Sequence, residues 1–271
     1  MELLTYKNFP RPMRQIASNA WVREVMYRLN VTSVSDLIRL LEAIKGRETK
    51  SNSEKASDFW YHVLNKRPVT WTDKINEIEG LFPDTKSILD NLFWHFLLYT
   101  RVENVKPKSS QIYNRYMGPS IDDEQLMALT TNYVTNNWDL SLSDDQLETM
   151  HSVHGLAALL SGNCQLKYRE KNNEQLLLCL YRTFMITFAL RYHTDFVWDI
   201  FQLLQLHLSN ENSPQLPQYF AQIDSKDMLI EKLSFIRNIA DKCVAEDQTE
   251  ETAKTKLIYL ARHQNSLELN F

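Results

Sequence analysis

Residues 225–246 read SKDMLIEKLSFIRNIADKCVAE, and apolar side chains recur in this stretch every three or four positions. The recurring apolar stripe consists of Leu229, Leu233, Ile236, Ala240 and Val244. Because one turn of an α-helix takes about 3.6 residues, this spacing places the stripe on a single helix face. The charged and polar residues between them then fall on the opposite face. The stretch therefore predicts a long amphipathic helix that packs its apolar face into a core.

The same period recurs along most of the chain and predicts one helix after another. The predicted helices span about residues 12–29, 33–46 or 35–46, 53–68, 72–80, 84–97, 122–138, 143–160, 173–208 with a bend near 192–195, 225–246 and 250–262. Polar loops are expected at 47–55 and 209–218. No stretch alternates as a strand does, and no repeat recurs at a fixed period. The sequence therefore predicts an all-α protein built as a multi-helix bundle.

Several of these helices carry recognisable end signals. Ser33 or Ser35 is placed to cap the second helix, and Gly46 to end it. Thr72 is expected to cap the fourth helix. Ser143 and Gln146 have the spacing of a capping box, in which each residue's side chain bonds the other's backbone N–H.

Composition excludes some classes of protein and favours others. Of the 271 residues, 44% are hydrophobic and 24% charged, as in a chain that buries a core. There are only 5 glycines and they do not cluster, which argues against a Rossmann fold or a phosphate-binding loop. The 3 cysteines are widely spaced, which favours reduced thiols. With no apolar leader and no apolar span, the prediction is a cytoplasmic protein without a membrane partner.

Charge is distributed unevenly along the chain, although the net charge is −4. Residues 1–70 hold 12 basic and 7 acidic residues, a net charge of +5, whereas residues 120–271 hold 12 and 21, a net charge of −9. Residues 106–121 fall in a stretch with two prolines, a glycine and three serines, which predicts a linker. The expected organisation is a smaller basic helical region over 1–105 and a larger acidic helical bundle over 122–271.

Residues 59–83 read FWYHVLNKRPVTWTDKINEIEGLFP. An aromatic helix, a turn containing Lys66-Arg67-Pro68 and an amphipathic helix ending in Gly-Leu-Phe-Pro follow one another closely. The stretch over 33–83 resembles phage-repressor-type helix-turn-helix domains, although Asn65 stands where such a turn would usually have a glycine. The resemblance implies a helix that docks in the major groove of double-stranded DNA while nearby cations neutralise phosphates.

The basic and polar residues around this motif supply the candidate nucleic-acid contacts. They are Lys55, Lys66, Arg67, Thr70, Lys74, Arg39 and Arg47. The alternative interpretation is that these charges are an ordinary solvated surface on a helical hairpin. Under that alternative Trp60, Tyr61, Trp71 and Phe82 belong to the core.

Two other groups of polar residues suggest chemistry. Glu148, His151 and His154 lie at i, i+3 and i+6 of a predicted helix, and a Glu-x-x-His pair recurs in di-iron bundles. No second Glu-x-x-His accompanies them, so structural histidines are the preferred interpretation. Arg191, His193 and Asp195 stand at the expected bend, where capping and salt bridges are the commoner use. No catalytic residue and no cofactor is predicted.

The leading functional hypothesis is a non-enzymatic DNA-binding or DNA-associated regulator whose C-terminal helices dimerise or bind a protein partner. The alternative is a helical scaffold or adaptor that binds only proteins. A metal-dependent helical-bundle enzyme is the third hypothesis.

Overall fold

A computed structural model describes residues 5–46, 53–65, 67–99, 143–168, 174–193, 195–210, 218–246 and 252–263. These residues form twelve α-helices and two short 3-10 helices, and none of them lies in a β-strand. The predicted all-α class is therefore confirmed. None of the helices in these ranges has the length and apolar character that crossing a bilayer requires. The predicted helix over 122–138 and the predicted linker over 106–121 lie outside the described residues.

The helices are numbered in chain order. The first five are α1 (Arg11–Arg28), α2 (Val34–Ile44), α3 (Ser53–Leu64), α4 (Thr72–Leu81) and α5 (Leu92–Tyr99). They are followed by α6 (Asp144–Met150), α7 (Val153–Tyr168), α8 (Glu174–Leu190), α9 (Val197–Asn210), α10 (Gln218–Ala221), α11 (Lys226–Glu246) and α12 (Ala253–His263). The 3-10 helices are Tyr6–Asn8 and Lys86–Ile88.

The chain divides into two compact units. Unit 1 comprises Met1–Asp90 with Thr252–Lys254, and unit 2 comprises Asn91–Glu251 with Thr255–Phe271. The division after Asp90 falls earlier in the chain than the sequence-based boundary near residue 105, because α5 packs against α7 and α9 of unit 2.

Unit 1 is organised around α1, which packs against α3, and α3 in turn packs against α2. The Trp21 and Trp60 rings stack with their centroids 5.7 Å apart, and both side chains are buried. Ser33 caps α2 by accepting a hydrogen bond from the backbone N–H of Asp36 at 3.0 Å. This selects the first of the two predicted caps, and the bond satisfies a helix-terminal donor that would otherwise lack a partner.

The predicted cap of α4 and the predicted start of the next helix are wrong. Helix α4 begins at Thr72, so its N-cap is Trp71, which makes no side-chain cap bond. The helix expected from residue 84 is instead a 3-10 turn, and α5 begins only at Leu92. The backbone N–H of Phe93 donates to the side-chain oxygen of Asn91 at 2.9 Å, a local capping bond that starts a new helix there.

In unit 2, α8 packs between α7 and α11, and α5 packs against α7 and α9. The apolar stripe of α11 is buried at Leu229, Leu233, Ile236 and Ala240, as predicted, while the Val244 side chain lies outside the description. Large rings fill the rest of this core. They include Phe93, Trp94, Tyr181, Phe184, Phe188, Tyr192, Phe201 and Phe220.

The single helix predicted over 143–160 is two helices. Ser143 and Gln146 form the predicted capping box at the start of α6. The helix then breaks, and Ser152 accepts hydrogen bonds from the backbone N–H groups of His154 at 3.1 Å and Gly155 at 3.4 Å. A serine side chain that competes for helix donors in this way starts a second helix, α7. The predicted break near 192–195 is confirmed between α8 and α9.

Candidate functional site

The predicted nucleic-acid residues have different surroundings. Lys66 and Arg47 lie outside the described residues, and Lys55 is described only as part of the α3 backbone. Arg67 and Thr70 are exposed in the segment that connects α3 to α4.

Arg39 and Lys74 are both engaged by carboxylates. Arg39 pairs with Asp36 one turn away on the exposed side of α2, with 2.9 Å between nitrogen and oxygen. Lys74 lies 3.0 Å from Glu77, and Lys45, the C-cap of α2, reaches the other oxygen of the same carboxylate at 2.5 Å. Because each cation already has an anionic partner, neither offers its full charge to a phosphate.

The cluster of Lys45, Lys74 and Glu77 is half-buried, and its pKa values reflect this. Burial lowers the pKa of Lys74, and the neighbouring Lys45 lowers it further, against the opposing effect of Glu77. Burial alone would raise the pKa of Glu77, but hydrogen bonds from Lys45 and Lys74 outweigh it and the pKa is lowered. Glu77 is therefore ionised and holds both ammonium groups.

Trp71, between these residues and Thr70, has an unusual environment for its type. Its side chain is 59% exposed, the highest exposure of any large apolar residue in the described ranges. The ring is stacked on Phe59 of α3, with the centroids 5.4 Å apart and an interplanar angle of 30°. A tryptophan held against another ring on one side and open on the other is a preformed contact surface.

Trp71 lines an open depression of about 660 Å³, here called the Trp71 depression. Its lining residues are Thr70, Trp71, Thr72, Asp73, Lys74 and Glu77. Thr70, Thr72 and Asp73 are exposed like Trp71, so the depression opens to solvent. Lys74 and Glu77, the other two charged lining residues, are half-buried. Arg39 does not line it.

The segment that presents Trp71 is anchored to the interior of unit 1. The neighbouring Val69 is buried, and its backbone N–H donates to the Ser18 hydroxyl of α1 at 3.0 Å. The Tyr6 hydroxyl donates to the carbonyl oxygen of Val69 at 2.9 Å. Two buried hydrogen bonds therefore fix the backbone two residues before Trp71.

Sequence reasoning did not single out Trp71. The alternative interpretation of this region, a solvated helical hairpin, assigned both Trp71 and Tyr61 to the core. That assignment is wrong for both residues, because Trp71 is exposed and Tyr61 is 43% exposed. The sequence gives no clear signal for this exposure, because Ile75 and Ile78 follow Trp71 at helical spacing, as they would follow a buried residue.

The candidate metal residues of unit 2 make hydrogen bonds within that unit. The described residues contain no group of three or more His, Cys, Asp or Glu side chains placed to hold one metal ion. His151 is fully buried, with Nδ1 2.9 Å from the carbonyl oxygen of Leu147. His154 Nδ1 lies 2.8 Å from the side-chain nitrogen of Asn91. The backbone carbonyl of Glu148 accepts a hydrogen bond from the Arg191 guanidinium at 2.8 Å.

The bend at residues 191–195 also has a structural explanation. The Arg191 guanidinium is buried and donates to the carbonyls of Glu148 and His151, at 2.8 and 3.3 Å, so it caps the end of α6. His193 and Asp195 are exposed. Burial raises the pKa of the Cys179 thiol, which disfavours the thiolate that a nucleophile needs.

No family model, curated protein or solved structure matches this chain.

Proposed function

We propose that this chain is a non-enzymatic helical adaptor that binds another protein at the Trp71 depression. The observation that carries this proposal is the 59% exposure of Trp71 beside an open depression. Exposing so large an apolar surface to water is unfavourable, and tryptophan is among the residues most enriched at the energetic centre of protein interfaces.

The way Trp71 is held supports the same proposal. The stack on Phe59 and the anchoring of Val69 to α1 restrict the ring before any partner arrives. Less conformational entropy is then lost on association, which favours binding.

Trp71→Ala is expected to remove partner binding, because it deletes the aromatic surface and leaves the buried anchors intact. Ile44→Ala is the matched control, since Ile44 is an apolar residue of the same unit that is 50% exposed and does not line the depression. The measurement is quantitative mass spectrometry of proteins retained from a lysate of the source cells by wild type and by each variant. We expect at least one protein to be depleted about tenfold or more with Trp71→Ala, since hot-spot truncations cost about 2 kcal/mol or more. A set of retained proteins that is the same for all three chains contradicts the proposal.

A second candidate is the binding of double-stranded DNA by unit 1. It is favoured by the exposure of Arg67 and Thr70 in the segment next to Trp71. Against it, α4 presents the exposed Asp73, and Lys74 is engaged by Glu77. Self-association through the C-terminal helices stays a prediction.

For the DNA hypothesis, the expected result is duplex binding that weakens steeply with salt, because each neutralised phosphate releases counterions. Arg67→Glu should weaken it, whereas Lys7→Glu reverses an exposed charge of the same unit outside the candidate set. Fluorescence anisotropy of a labelled duplex measures both. Binding that these two variants weaken equally, or no binding at low salt, rejects the hypothesis.

A further inference from the structure

We infer that the Trp71 depression receives an arginine of the partner protein, with the guanidinium stacked on the Trp71 ring and paired with the Asp73 carboxylate. This inference rests on the proposed function, because it names the chemistry of the group that the adaptor binds. Its three supports are the charges that line the depression, the free surface of the indole and the geometry of the guanidinium.

The exposed charged side chain among the residues that line the depression is a carboxylate, that of Asp73. Glu77 is shared by Lys45 and Lys74, and those two lysine side chains are only 13% and 17% exposed. Both ammonium groups point to Glu77 and are largely withdrawn from solvent. Asp73, in contrast, is exposed, and no ion pair to it is found among the residues that the structure describes. A ligand entering the depression therefore meets an available carboxylate, and charge complementarity favours a cation.

The aromatic surface of the depression also favours a cation. With Phe59 covering one side of the Trp71 ring, the remaining indole surface is available to a ligand. Cations bind the faces of tryptophan rings more strongly than those of tyrosine or phenylalanine. The same cluster already shows this interaction, because the Lys74 ammonium lies over the Trp60 ring at 5.8 Å from its centroid.

Arginine fits these features better than lysine. Its guanidinium is planar, so it can stack on an indole and present its edge to a carboxylate in one geometry. It is also less strongly hydrated than an ammonium, so less solvation is lost when it enters a depression of about 660 Å³.

The test uses the full chain and small probes of defined chemistry. N-acetyl-arginine amide, N-acetyl-lysine amide, N-acetyl-norleucine amide and a single-stranded oligothymidine are titrated separately. The readout is the NMR cross-peak of the Trp71 indole N–H, which is assigned by its loss in Trp71→Phe. We expect a saturable shift with the arginine probe, a smaller one with the lysine probe and none with the norleucine probe.

Asp73→Asn is expected to weaken binding of the arginine probe by about threefold or more, the range for an exposed ion pair added to a cation–π contact. Asp84→Asn is the matched control, because Asp84 is an exposed aspartate of the same unit whose positive φ of 69° asparagine also tolerates. Circular dichroism checks that both variants keep the wild-type helix content. Equal affinity of wild type and Asp73→Asn overturns the inference.

The remaining outcomes separate this inference from the proposed function. If Trp71→Ala loses its protein partner but the arginine probe leaves the indole signal unchanged, the inference is wrong and the adaptor function stands. If norleucine shifts the signal as strongly as arginine, the depression binds an apolar group and the inference is wrong. If oligothymidine alone shifts it, the surface binds nucleic acid, and the inference fails with the adaptor function.

Discussion

Two buried histidines in the core of unit 2 make the stability of this protein depend on pH. His151 is fully buried, and its Nδ1 carries the hydrogen because it bonds to the carbonyl oxygen of Leu147. Its Nε2 has no hydrogen-bond partner among the described residues. The pKa of His151 is lowered to about 4, mainly by burial; the hydrogen bond to Leu147 opposes this effect and the nearby Arg191 cation adds to it. Burial also lowers the pKa of His95 in the same unit to about 4.

The folded state therefore holds these two histidines neutral. An unfolded histidine has a pKa of about 6.5, so protonation favours the unfolded chain once the pH falls below that value. Stability is fully present above about pH 6.5 and is lost as the pH falls toward 4. Each histidine is expected to cost about 2 kcal/mol of the free energy of unfolding at pH 5.

His151→Asn tests this assignment. Asparagine can keep the hydrogen bond to Leu147 through its amide but does not titrate, so the variant should lose about 2 kcal/mol less than wild type between pH 7 and pH 5. Urea unfolding followed by circular dichroism at both pH values measures the difference. His62→Asn, at an exposed position, should keep the wild-type dependence. An unchanged pH dependence in His151→Asn shows that His151 does not titrate as described.

At the scale of elements, the helix ends decide where the chain turns. The caps at Ser33 and Ser143 were predictable, because a serine side chain followed by an acceptor or donor three residues later is a local pattern. The breaks at Asn91 and Ser152 were not predicted, since the flanking residues continue a helical apolar period through them. Local periodicity does not record which polar side chain bonds the backbone.

The turn between α6 and α7 also depends on Gly155. A Cβ placed on Gly155 would overlap the backbone carbonyl of Met150, whereas a Cβ on Gly80 of α4 would meet no atom within 4 Å. The two helices meet so closely that only glycine fits at the junction.

Gly155→Ala is therefore expected to lower the free energy of unfolding by about 1–3 kcal/mol, the usual cost of overpacking a core. Gly80→Ala provides the contrast, since alanine in an open helical position should raise stability by up to about 1 kcal/mol. Urea titration of both variants gives the two values. Equal stabilities of the two variants would show that a Cβ at Gly155 does not overlap the Met150 carbonyl.

At the scale of the whole molecule, ion pairs and nearby acidic residues reduce the positive charge that unit 1 can present to a ligand. Residues 1–70 carry a net charge of +5, which motivated the DNA hypothesis. In unit 1, however, Arg28 pairs with the buried Glu24, Arg39 with Asp36, and both Lys45 and Lys74 with Glu77. Glu24 and Asp36 are already counted in the net charge of +5, but residues 71–90, which include Glu77, hold 2 basic and 5 acidic residues and lower the net charge of residues 1–90 to +2. The paired cations also attract a distant ligand less than free ones would, because paired charges act largely as dipoles at a distance.

The sequence by itself determined the helical class, several helix positions and caps, and the buried stripe of α11, because each follows from short-range periodicity and local hydrogen bonding. Only the tertiary structure decided that Trp71 is exposed and that Glu77 holds two lysines. Both depend on residues from separate elements: Phe59 of α3 supports the ring, and Lys45 at the end of α2 reaches Glu77 of α4. Such contacts join positions far apart in the chain, where the pattern of neighbouring residues carries no information about distance.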